Sequence, residues 1–382
     1  MSLPDVVYSV NHRLGGGGMG SSVLEMLVGL HQAGLLKQAI VSSCKTDRLP
    51  RHLITEMGLL GRIQKRLSLY DPTGWVAGYV ESRIFDRWTS AVMQPSQVFS
   101  SWTGMCATSL QTASRRGSVT LLGLGSAHPR DVLEWLNEER RRWGLPSQRA
   151  TPHLRQIEQE LAMADRIIVQ SQFSQRSLVA RGLSAEKIVC LPLGVNVERF
   201  KPSATPPPGP FRVLFLGQVM LRKGVQYLLE AWKQLAWRDA ELWLVGRVMA
   251  DCRGVLRHYA DLPGVRMLGY VPDQVEAYQT SDVLVVPSVE DGFGLVVPEA
   301  MACGLPVIVS DHTGAADLVQ EGASGFVVKF DAPEAYARAL ETLRANPEHA
   351  REMGHAGREM ALSQTWDVYR TRLIDVYHQI ME

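Results

Sequence analysis

The feature that most constrains the fold of this 382-residue chain is a series of short apolar segments, each the length of one strand. Strands with one face in water alternate apolar and polar residues, so unbroken runs of Val, Ile and Leu predict strands covered on both faces, as in parallel sheets flanked by helices. Helical patterns lie between the runs, which indicates βα units. The runs are Val6–Val10, Ala39–Val41, Val119–Leu122, Ile167–Val169, Ile188–Leu191, Val213–Leu216, Leu242–Val245, Val283–Val286, Val307–Val309 and Phe326–Val328.

A proline-rich segment, residues 201–210, divides these runs into two series. Proline cannot continue a helix or a central strand, so the segment predicts an extended linker. The chain is also longer than one hydrophobic core usually organises. The sequence therefore predicts an α/β protein with two doubly wound, Rossmann-like domains, over residues 1–200 and 211–362, which face each other.

Residues 363–382 predict a terminal helix that must pack against another part of the molecule. Thr365 is a candidate N-cap, and the apolar residues that follow it fall on one helical face. Two positions remain open from the pattern: packing on the second domain, or a return across the cleft to the first. The stripe consists of Trp366, Tyr369, Leu373, Val376, Tyr377 and Ile380.

Composition excludes several classes of function. A net charge of +1 supplies no global field for nucleic acid, so nucleic acid is not an expected partner. Five scattered cysteines predict neither a disulfide framework nor a structural zinc site. The opening residues lack the pattern of a signal peptide, and the apolar runs are shorter than the ~20 residues of a spanning helix. We expect a cytoplasmic protein. Peripheral contact with the inner face of the membrane is compatible with this expectation.

The segment most informative about function is residues 287–311, PSVEDGFGLVVPEAMACGLPVIVSD, which predicts a strand, a glycine turn, a helix and a second strand. The amides of Phe293, Gly294 and Leu295 precede the helix and suit an anion. Asp291 and Glu299, separated by seven residues, could bring two carboxylates to one ligand, one for sugar hydroxyls and one for a ribose diol. The alternative for Glu299 is a carboxylate that serves only the helix dipole.

This segment closely resembles the retaining glycosyltransferases of family four (glycosyl transferases group 1), which have the GT-B fold. In that family an acid precedes Gly-Phe-Gly, and a second acid precedes Ala-Met-Ala-x-Gly-x-Pro-Val-Ile. This chain has Asp291 at the first acid with Glu290 directly before it, so the residue that contacts the sugar is left open between the two. The resemblance implies a GT-B protein whose two domains face across a cleft.

A second stretch, residues 215–231, is similar to the family's strand, loop and helix that contact the donor diphosphate. The guanidinium of Arg222 can donate hydrogen bonds to two phosphate oxygens at once, and the ammonium of Lys223 provides a compact positive charge. Many members of the family carry an Arg where this chain has Gln218. We therefore expect Arg222 to make the diphosphate contact that this Arg makes in the family. An Arg-Lys pair without this context would be a solvated surface patch.

A glycine-rich run follows the first predicted strand. The resemblance implies that Gly16 or Gly17 faces the diphosphate across the cleft, where free amides can cradle phosphate. Gly15, Gly17 and Gly20 also satisfy Gly-x-Gly-x-x-Gly, a dinucleotide-binding pattern. No acid stands at the end of the second strand to bind a ribose, so the family interpretation fits better.

His128 follows a predicted strand at the edge of the sheet where α/β proteins bind ligands. It resembles the family's cleft histidine, which contacts the donor sugar; the alternative is an ordinary satisfied polar group. Two charged groups are weaker candidates for acceptor contacts. They are the run Glu138–Arg142, whose usual interpretation is a solvated helix face, and the cluster Arg48, Arg51, Arg62, Lys65 and Arg66.

The predicted activity is transfer of a sugar from a nucleotide diphosphate sugar to a glycan, lipid or small-molecule acceptor, with retention. No Asp-x-Asp occurs, so we expect no metal and no resident cofactor, with Arg222, Lys223 and the amides neutralising the leaving group. His128, Arg222, Lys223 and Asp291 are the candidate catalytic residues. The alternatives are a related epimerase or phosphorylase, or a catalytically silent binding subunit. The base, sugar, acceptor, linkage and oligomeric state are not assigned.

Overall fold

The computed structural model of the protein describes residues 4–15, 19–58, 75–204 and 209–381. In the first half of the described chain, parallel strands form one sheet in the order β3-β2-β1-β4-β5-β6-β7. The buried Val, Ile and Leu side chains of the central strands are covered by helices on both faces. These strands are β1 (Val6–Leu14), β2 (Leu36–Cys44), β3 (Ile54–Glu56), β4 (Val98–Trp102), β5 (Val119–Leu124), β6 (Arg166–Val169) and β7 (Ile188–Cys190).

The second sheet lies after the proline-rich segment, of which residues 205–208 fall outside the described chain. Its strands are also parallel, in the order β10-β9-β8-β11-β12-β13. Each of the ten predicted apolar runs forms a strand; β3, β4 and β10 were not predicted. The strands are β8 (Phe211–Leu216), β9 (Ala240–Val245), β10 (Val265–Gly269), β11 (Val283–Val286), β12 (Val307–Ser310) and β13 (Gly325–Val328).

Both sheets are doubly wound, as predicted from the apolar runs. The strand order reverses between β1 and β4 in the first sheet and between β8 and β11 in the second. Loops leave the sheet in opposite directions at such a point, which opens a crevice beyond the carboxyl ends of the strands, where α/β proteins bind ligands. The fold therefore provides one such crevice in each sheet.

Helices cover the faces of both sheets. Within the described residues, none is long and apolar enough to cross a membrane. The helices are α1 (Met19–Gln32), α2 (Trp75–Val92), α3 (Ala107–Arg115), α4 (Pro129–Arg142), α5 (Pro152–Met163), α6 (Gln172–Ala180), α7 (Val225–Leu235), α8 (Arg253–His258), α9 (Val275–Gln279), α10 (Val296–Ala302), α11 (Pro333–Ala345), α12 (Pro347–Leu362) and α13 (Trp366–Gln379).

The terminal helix α13 packs against α1, on the first sheet's side of the molecule. Thr365 caps it, because its side chain accepts a hydrogen bond of 3.3 Å from the amide of Val368. Tyr377 is buried in the face that meets the first domain, and Arg370 pairs with Glu25 of α1. The chain thus returns to its first domain after completing the second.

Candidate active site

The two crevices open into one cavity of about 280 Å³ between the sheets. The first domain contributes residues near the ends of β4, β5 and β6, and the second contributes the loops after β8 and β11. The lining includes Met19, Trp102, Gly125 and Gln170 from one side and Gly217, Lys223, Ser288, Asp291, Phe293, Gly294 and Leu295 from the other. Five of the residues singled out from sequence therefore meet here: Lys223, Asp291, Phe293, Gly294 and Leu295.

An ion pair between Lys223 and Asp291 is the charged feature of this cavity. The Nζ of Lys223 donates to Oδ2 of Asp291, and both side chains are largely buried. Burial by itself raises the pKa of Asp291, but the Lys223 ammonium and the Arg222 guanidinium nearby lower it overall. Asp291 is therefore an ionised hydrogen-bond acceptor, suited to hydroxyl groups.

Glu290, adjacent in sequence, has both carboxylate oxygens occupied away from the cavity. Its side chain is fully buried. Oε1 accepts from the amide of Ala127 in the first domain at 3.0 Å. Oε2 accepts from Arg222, at 2.6 Å from Nε and 2.5 Å from Nη2. Of the two acids left open by the sequence, Asp291 lines the cavity and Glu290 joins the domains.

Arg222 and Lys223 point to different sites although they are neighbours. Lys223 lines the cavity described above, whereas Arg222 holds Glu290 and lines a second cavity. Gly224 makes this turn possible with φ of +68°, and a Cβ there would lie 1.7 Å from the carbonyl oxygen of Pro287. Gln218, where many relatives have Arg, is exposed. The predicted diphosphate contacts of Arg222 and Lys223 stay predictions.

The glycine turn before α10 packs closely against the backbone of the first domain. Gly294 has φ of +85°, and a Cβ on Gly292 would lie only 2.2 Å from the carbonyl oxygen of Gly125. The carbonyl of Gly292 also accepts from the Ser171 hydroxyl at 2.8 Å. Glycine is required at position 292 because backbone from the two domains meets there.

Glu299 lies in the first turn of α10, beyond the residues that line the cavity. Its Oε2 accepts from the hydroxyl of Tyr278 at 2.7 Å. Burial raises the pKa of Glu299 to about 7, against the opposing effect of that hydrogen bond. The predicted contact between Glu299 and a ribose stays a prediction.

His128 is the N-cap of α4. Its Nδ1 accepts from the amide of Arg130 at 3.2 Å, and its own amide donates to the Ser177 hydroxyl at 2.8 Å. Burial lowers its pKa, so the imidazole is neutral near pH 7. In the loop between β5 and α4, Gly125 lines the cavity that contains Lys223 and Asp291. The predicted sugar contact of His128 is not tested by this arrangement.

Two sets of predicted residues fall partly or wholly outside the described chain. Gly16 and Gly17 lie in the undescribed residues 16–18. Arg62, Lys65 and Arg66 lie in residues 59–74, which are likewise outside. Arg48 and Arg51, the other members of that basic cluster, pair with Glu25 and Glu56.

The charge run on α4 lies at the contact between the domains. Glu139 is only 1% exposed and accepts from Gln226 Nε2 at 2.8 Å and from the Tyr227 hydroxyl at 2.5 Å. Arg142 completes the network at 3.1 Å from Glu139. The usual interpretation of such a run as a solvated face was therefore wrong for Glu139.

Sequence reasoning missed Trp102, Gln170 and Ser288 as cavity residues. Trp102 ends β4, a buried strand that contains Ser100 and Ser101 and so gave no apolar run. Among the described residues, no group of three or more His, Cys, Asp or Glu side chains could hold a metal ion.

Comparison with known proteins connects this site to a family. Residues 210–346 match the model of the family described as glycosyl transferases group 1. The second domain belongs to that family. The resemblance noted from the motifs is thereby confirmed, and the matched region contains Lys223, Glu290, Asp291 and Glu299.

Two curated relatives carry similar names. A D-inositol 3-phosphate glycosyltransferase of Streptomyces bingchenggensis is 31% identical over 249 residues, which cover 59% of this chain and 55% of the relative. A putative glycosyltransferase EpsD of Bacillus subtilis is 28% identical over 205 residues, covering 50% of this chain and 54% of the relative. The chain thus spans about half the length of the curated relatives that it matches.

Solved structures confirm the GT-B fold over the whole chain. Sucrose-phosphate synthase from Thermosynechococcus elongatus superposes with a TM-score of 0.71 and 22% identity, covering 99% of each chain. HepE of Anabaena, solved in complex with UDP, superposes with a TM-score of 0.69 and 15% identity, covering 98% of this chain and 100% of HepE. At such identities the likeness establishes the fold.

The raised pKa of Glu299 generates a pH-dependent prediction. The carboxylate is present above pH 7 and is lost as the pH falls through about 7. If it accepts from a ribose hydroxyl, the charge-assisted bond weakens on protonation. We expect nucleoside diphosphate affinity, measured by calorimetry with UDP, GDP and ADP, to fall by up to about tenfold between pH 8 and pH 6.

Glu299→Gln is the control for this prediction, because both proteins experience the same titration of the ligand phosphate near pH 6. The variant should bind more weakly at pH 8 and should lose the additional pH dependence. Identical affinities and identical pH profiles for the two proteins would exclude a ribose contact by Glu299.

Proposed function

We propose that this protein is a glycosyltransferase that moves a sugar from a nucleotide diphosphate sugar to an acceptor hydroxyl, with retention of anomeric configuration. The observation that carries the proposal is the Lys223–Asp291 ion pair in a cavity between two facing crevices. Membership of the second domain in glycosyl transferases group 1 supports it. So does the structure of HepE, a neighbour that was solved with UDP.

The donor diphosphate is assigned to Lys223 and to the backbone amides of the glycine turn at 293–295. A fixed ammonium and fixed amides stabilise negative charge without reorganising during the reaction. Asp291, held ionised by its cationic neighbours, accepts hydrogen bonds from the sugar hydroxyls. This assignment requires no metal ion and no resident cofactor.

In the proposed reaction, the bond between the anomeric carbon and the diphosphate oxygen breaks while the acceptor oxygen bonds to the same face of that carbon. The acceptor proton passes to the departing phosphate. Asp291 binds the sugar in this scheme and does not act as a nucleophile. Retention itself is supported by the resemblance to family four.

The setting of the reaction is assigned from cysteine chemistry. All five cysteines lie in the described chain and are free thiols, four of them buried. Free thiols in this number are typical of a reducing compartment. We therefore place the proposed reaction in the cytoplasm.

A donor panel tests the proposed activity. UDP-, GDP-, ADP- and TDP-sugars are each incubated with the protein and a mixed set of hydroxyl acceptors, with and without EDTA. We expect nucleoside diphosphate release from at least one donor, unchanged by EDTA, and a product whose anomeric configuration, by NMR, equals that of the donor.

Each result that departs from this expectation overturns a particular part of the proposal. Absence of release from every donor would contradict the activity. Inversion of the anomeric centre would contradict retention. Loss of turnover in EDTA that magnesium or manganese restores would show that a metal holds the diphosphate.

The separate positions of Lys223 and Arg222 predict different kinetic effects. Diphosphate charge grows as the glycosidic bond breaks, so Lys223 should bind the transition state more tightly than the donor. Lys223→Ala should lower kcat by about 10²-fold or more and change the donor KM less. Steady-state and single-turnover kinetics measure both quantities.

Arg222→Ala is the matched comparison on the neighbouring residue. Removal of Arg222 leaves the buried Glu290 carboxylate without its cationic partner, so we expect a lower unfolding midpoint and a smaller loss of kcat. A Lys223→Ala variant that raises only the donor KM would contradict the role given to Lys223. An equal loss of kcat in both variants would indicate that Arg222 also contacts the diphosphate.

A further inference from the structure

Helix α4 is held by the first domain near its start and by the second domain near its end. Asp131, in the first turn, pairs with Arg181 at the end of α6, with 2.5 Å between the carboxylate and the guanidinium. Trp143, directly after the last turn, packs edge-on against Tyr259 of the second domain, with ring centroids 6.2 Å apart. The helix therefore bridges the two domains.

A second cavity, of about 680 Å³, lies between α4 and α5 of the first domain. Its lining includes Val132, Leu133 and Leu136 from α4, and Leu154 and Ile157 from α5. Side chains that face a cavity lack the dense packing that fixes one helix against another. The position of the last turns of α4 therefore depends on their contact with the second domain.

The buried carboxylate of Glu139 is the centre of that contact. Its Oε1 accepts from the Tyr227 hydroxyl at 2.5 Å and from Nη1 of Arg142 at 3.1 Å. Its Oε2 accepts from Nε2 of Gln226 at 2.8 Å. Three donors thus converge on one side chain, and a carboxylate can satisfy them because it only accepts. A carboxamide would direct an NH2 group towards one of these donors, so the arrangement requires an acid.

Gln226 extends this contact to the turn that carries Lys223. Its Nε2 also donates to the carbonyl oxygen of Leu221, at 3.1 Å. The turn is closed by two backbone hydrogen bonds of 3.0 Å, from the amide of Lys223 to Met220 and from the amide of Gly224 to Leu221. One side-chain NH2 group therefore joins an acid of the first domain to the backbone of this turn in the second.

We propose that Glu139 is a positioning residue for the transfer reaction. It acts across the domain contact, through Gln226, to hold the turn that places the Lys223 ammonium against the departing diphosphate. Fixed charge stabilises a transition state only where its geometry is maintained. Because Glu139 belongs to the first domain, Lys223 is held in this way only while the domains are in contact. This inference rests on the proposed function, which gives Lys223 a diphosphate to bind.

Hydrogen–deuterium exchange of the full chain tests the link to the turn without a substrate. In Glu139→Gln we expect the amides of Lys223 and Gly224 to exchange about tenfold faster, the effect of one lost charge-assisted hydrogen bond. Glu138→Gln is the matched control, because Glu138 also pairs with Arg142, at 2.7 Å, but is exposed. Exchange at the turn should be unchanged in the control. Unchanged exchange in Glu139→Gln would overturn the proposal.

Steady-state kinetics test the effect on the chemical step. Glu139→Gln should lower kcat by about tenfold and change the donor KM by less than about threefold, as expected for a contribution made in the transition state. Glu138→Gln should keep both values within about twofold of the unchanged protein. An unchanged kcat in Glu139→Gln, or a change confined to KM, would contradict the role given to Glu139.

Gln226→Met tests the same link from the second domain, since it keeps the length of the side chain and removes the NH2 group. It should reproduce the faster exchange and the lower kcat of Glu139→Gln. Thermal unfolding checks that each variant is folded, and Gln226→Met decides the outcome if Glu139→Gln does not fold. Normal exchange at the turn in Gln226→Met, or a normal kcat, would overturn the proposal.

A double-mutant cycle shows whether Glu139 acts through Lys223. Lys223→Ala removes the ammonium that is to be placed, so adding Glu139→Gln should lower kcat further by less than about twofold. A further loss of about tenfold would show that Glu139 acts independently of Lys223 and would overturn the proposal. The proposed activity fails by a different result, absence of nucleoside diphosphate release from every donor, which leaves the exchange measurement valid. The two failures are therefore distinguishable.

Discussion

The buried carboxylate of Glu290 is the interaction on which the arrangement of the cleft depends. It accepts from the amide of Ala127 in the first domain and from the Arg222 guanidinium in the second. A carboxylate without water requires such partners, since an unpaired buried charge is strongly unfavourable. Because Glu290 faces this contact, the next residue, Asp291, faces the cavity and meets Lys223. One pair of adjacent acids therefore supplies both a structural link and a ligand-facing carboxylate.

Helix α4 connects this domain contact to both cavities. Its N-cap loop provides the amide that binds Glu290 and the glycine, Gly125, that touches the turn at Gly292. One side of the helix contacts the second domain through Trp135 and Glu139. The ring centroids of Trp135 and His312 are 4.5 Å apart, and Glu139 accepts a hydrogen bond from Gln226. The adjacent face of the helix lines the second cavity, to which Arg222 also contributes. A change in the contact between the domains would therefore alter both cavities together.

Much of this fold could be predicted from sequence because parallel strands buried on both faces leave unbroken apolar runs. β4 could not, because Ser100 and Ser101 interrupt its pattern while lying fully covered within the sheet. β10 could not either, because most of its side chains at the sheet edge are exposed or half-exposed. In both strands the tertiary position outweighed the local pattern.

The roles of single residues in the site were also only partly predictable from the sequence. The motif around residues 287–311 identified the family and the residues of the glycine turn. It could not separate Glu290 from Asp291, because their roles depend on Ala127 and Lys223, which are distant in sequence. Likewise, the charges on α4 gave no indication that Glu139 meets Gln226 and Tyr227. Partners brought together by folding decide such roles, and a pattern of charges does not show them.

The most direct test of this account compares Glu290→Ala with Glu138→Ala, which removes an exposed carboxylate paired with Arg142. We expect Glu290→Ala to lower the free energy of unfolding by about 3 kcal/mol, as for a broken buried pair. Glu138→Ala should lower it by less than about 0.5 kcal/mol. Turnover of the donor should fall at least tenfold only in Glu290→Ala. Equal stabilities and equal turnover in the two variants would contradict the claim that Glu290 holds the cleft together.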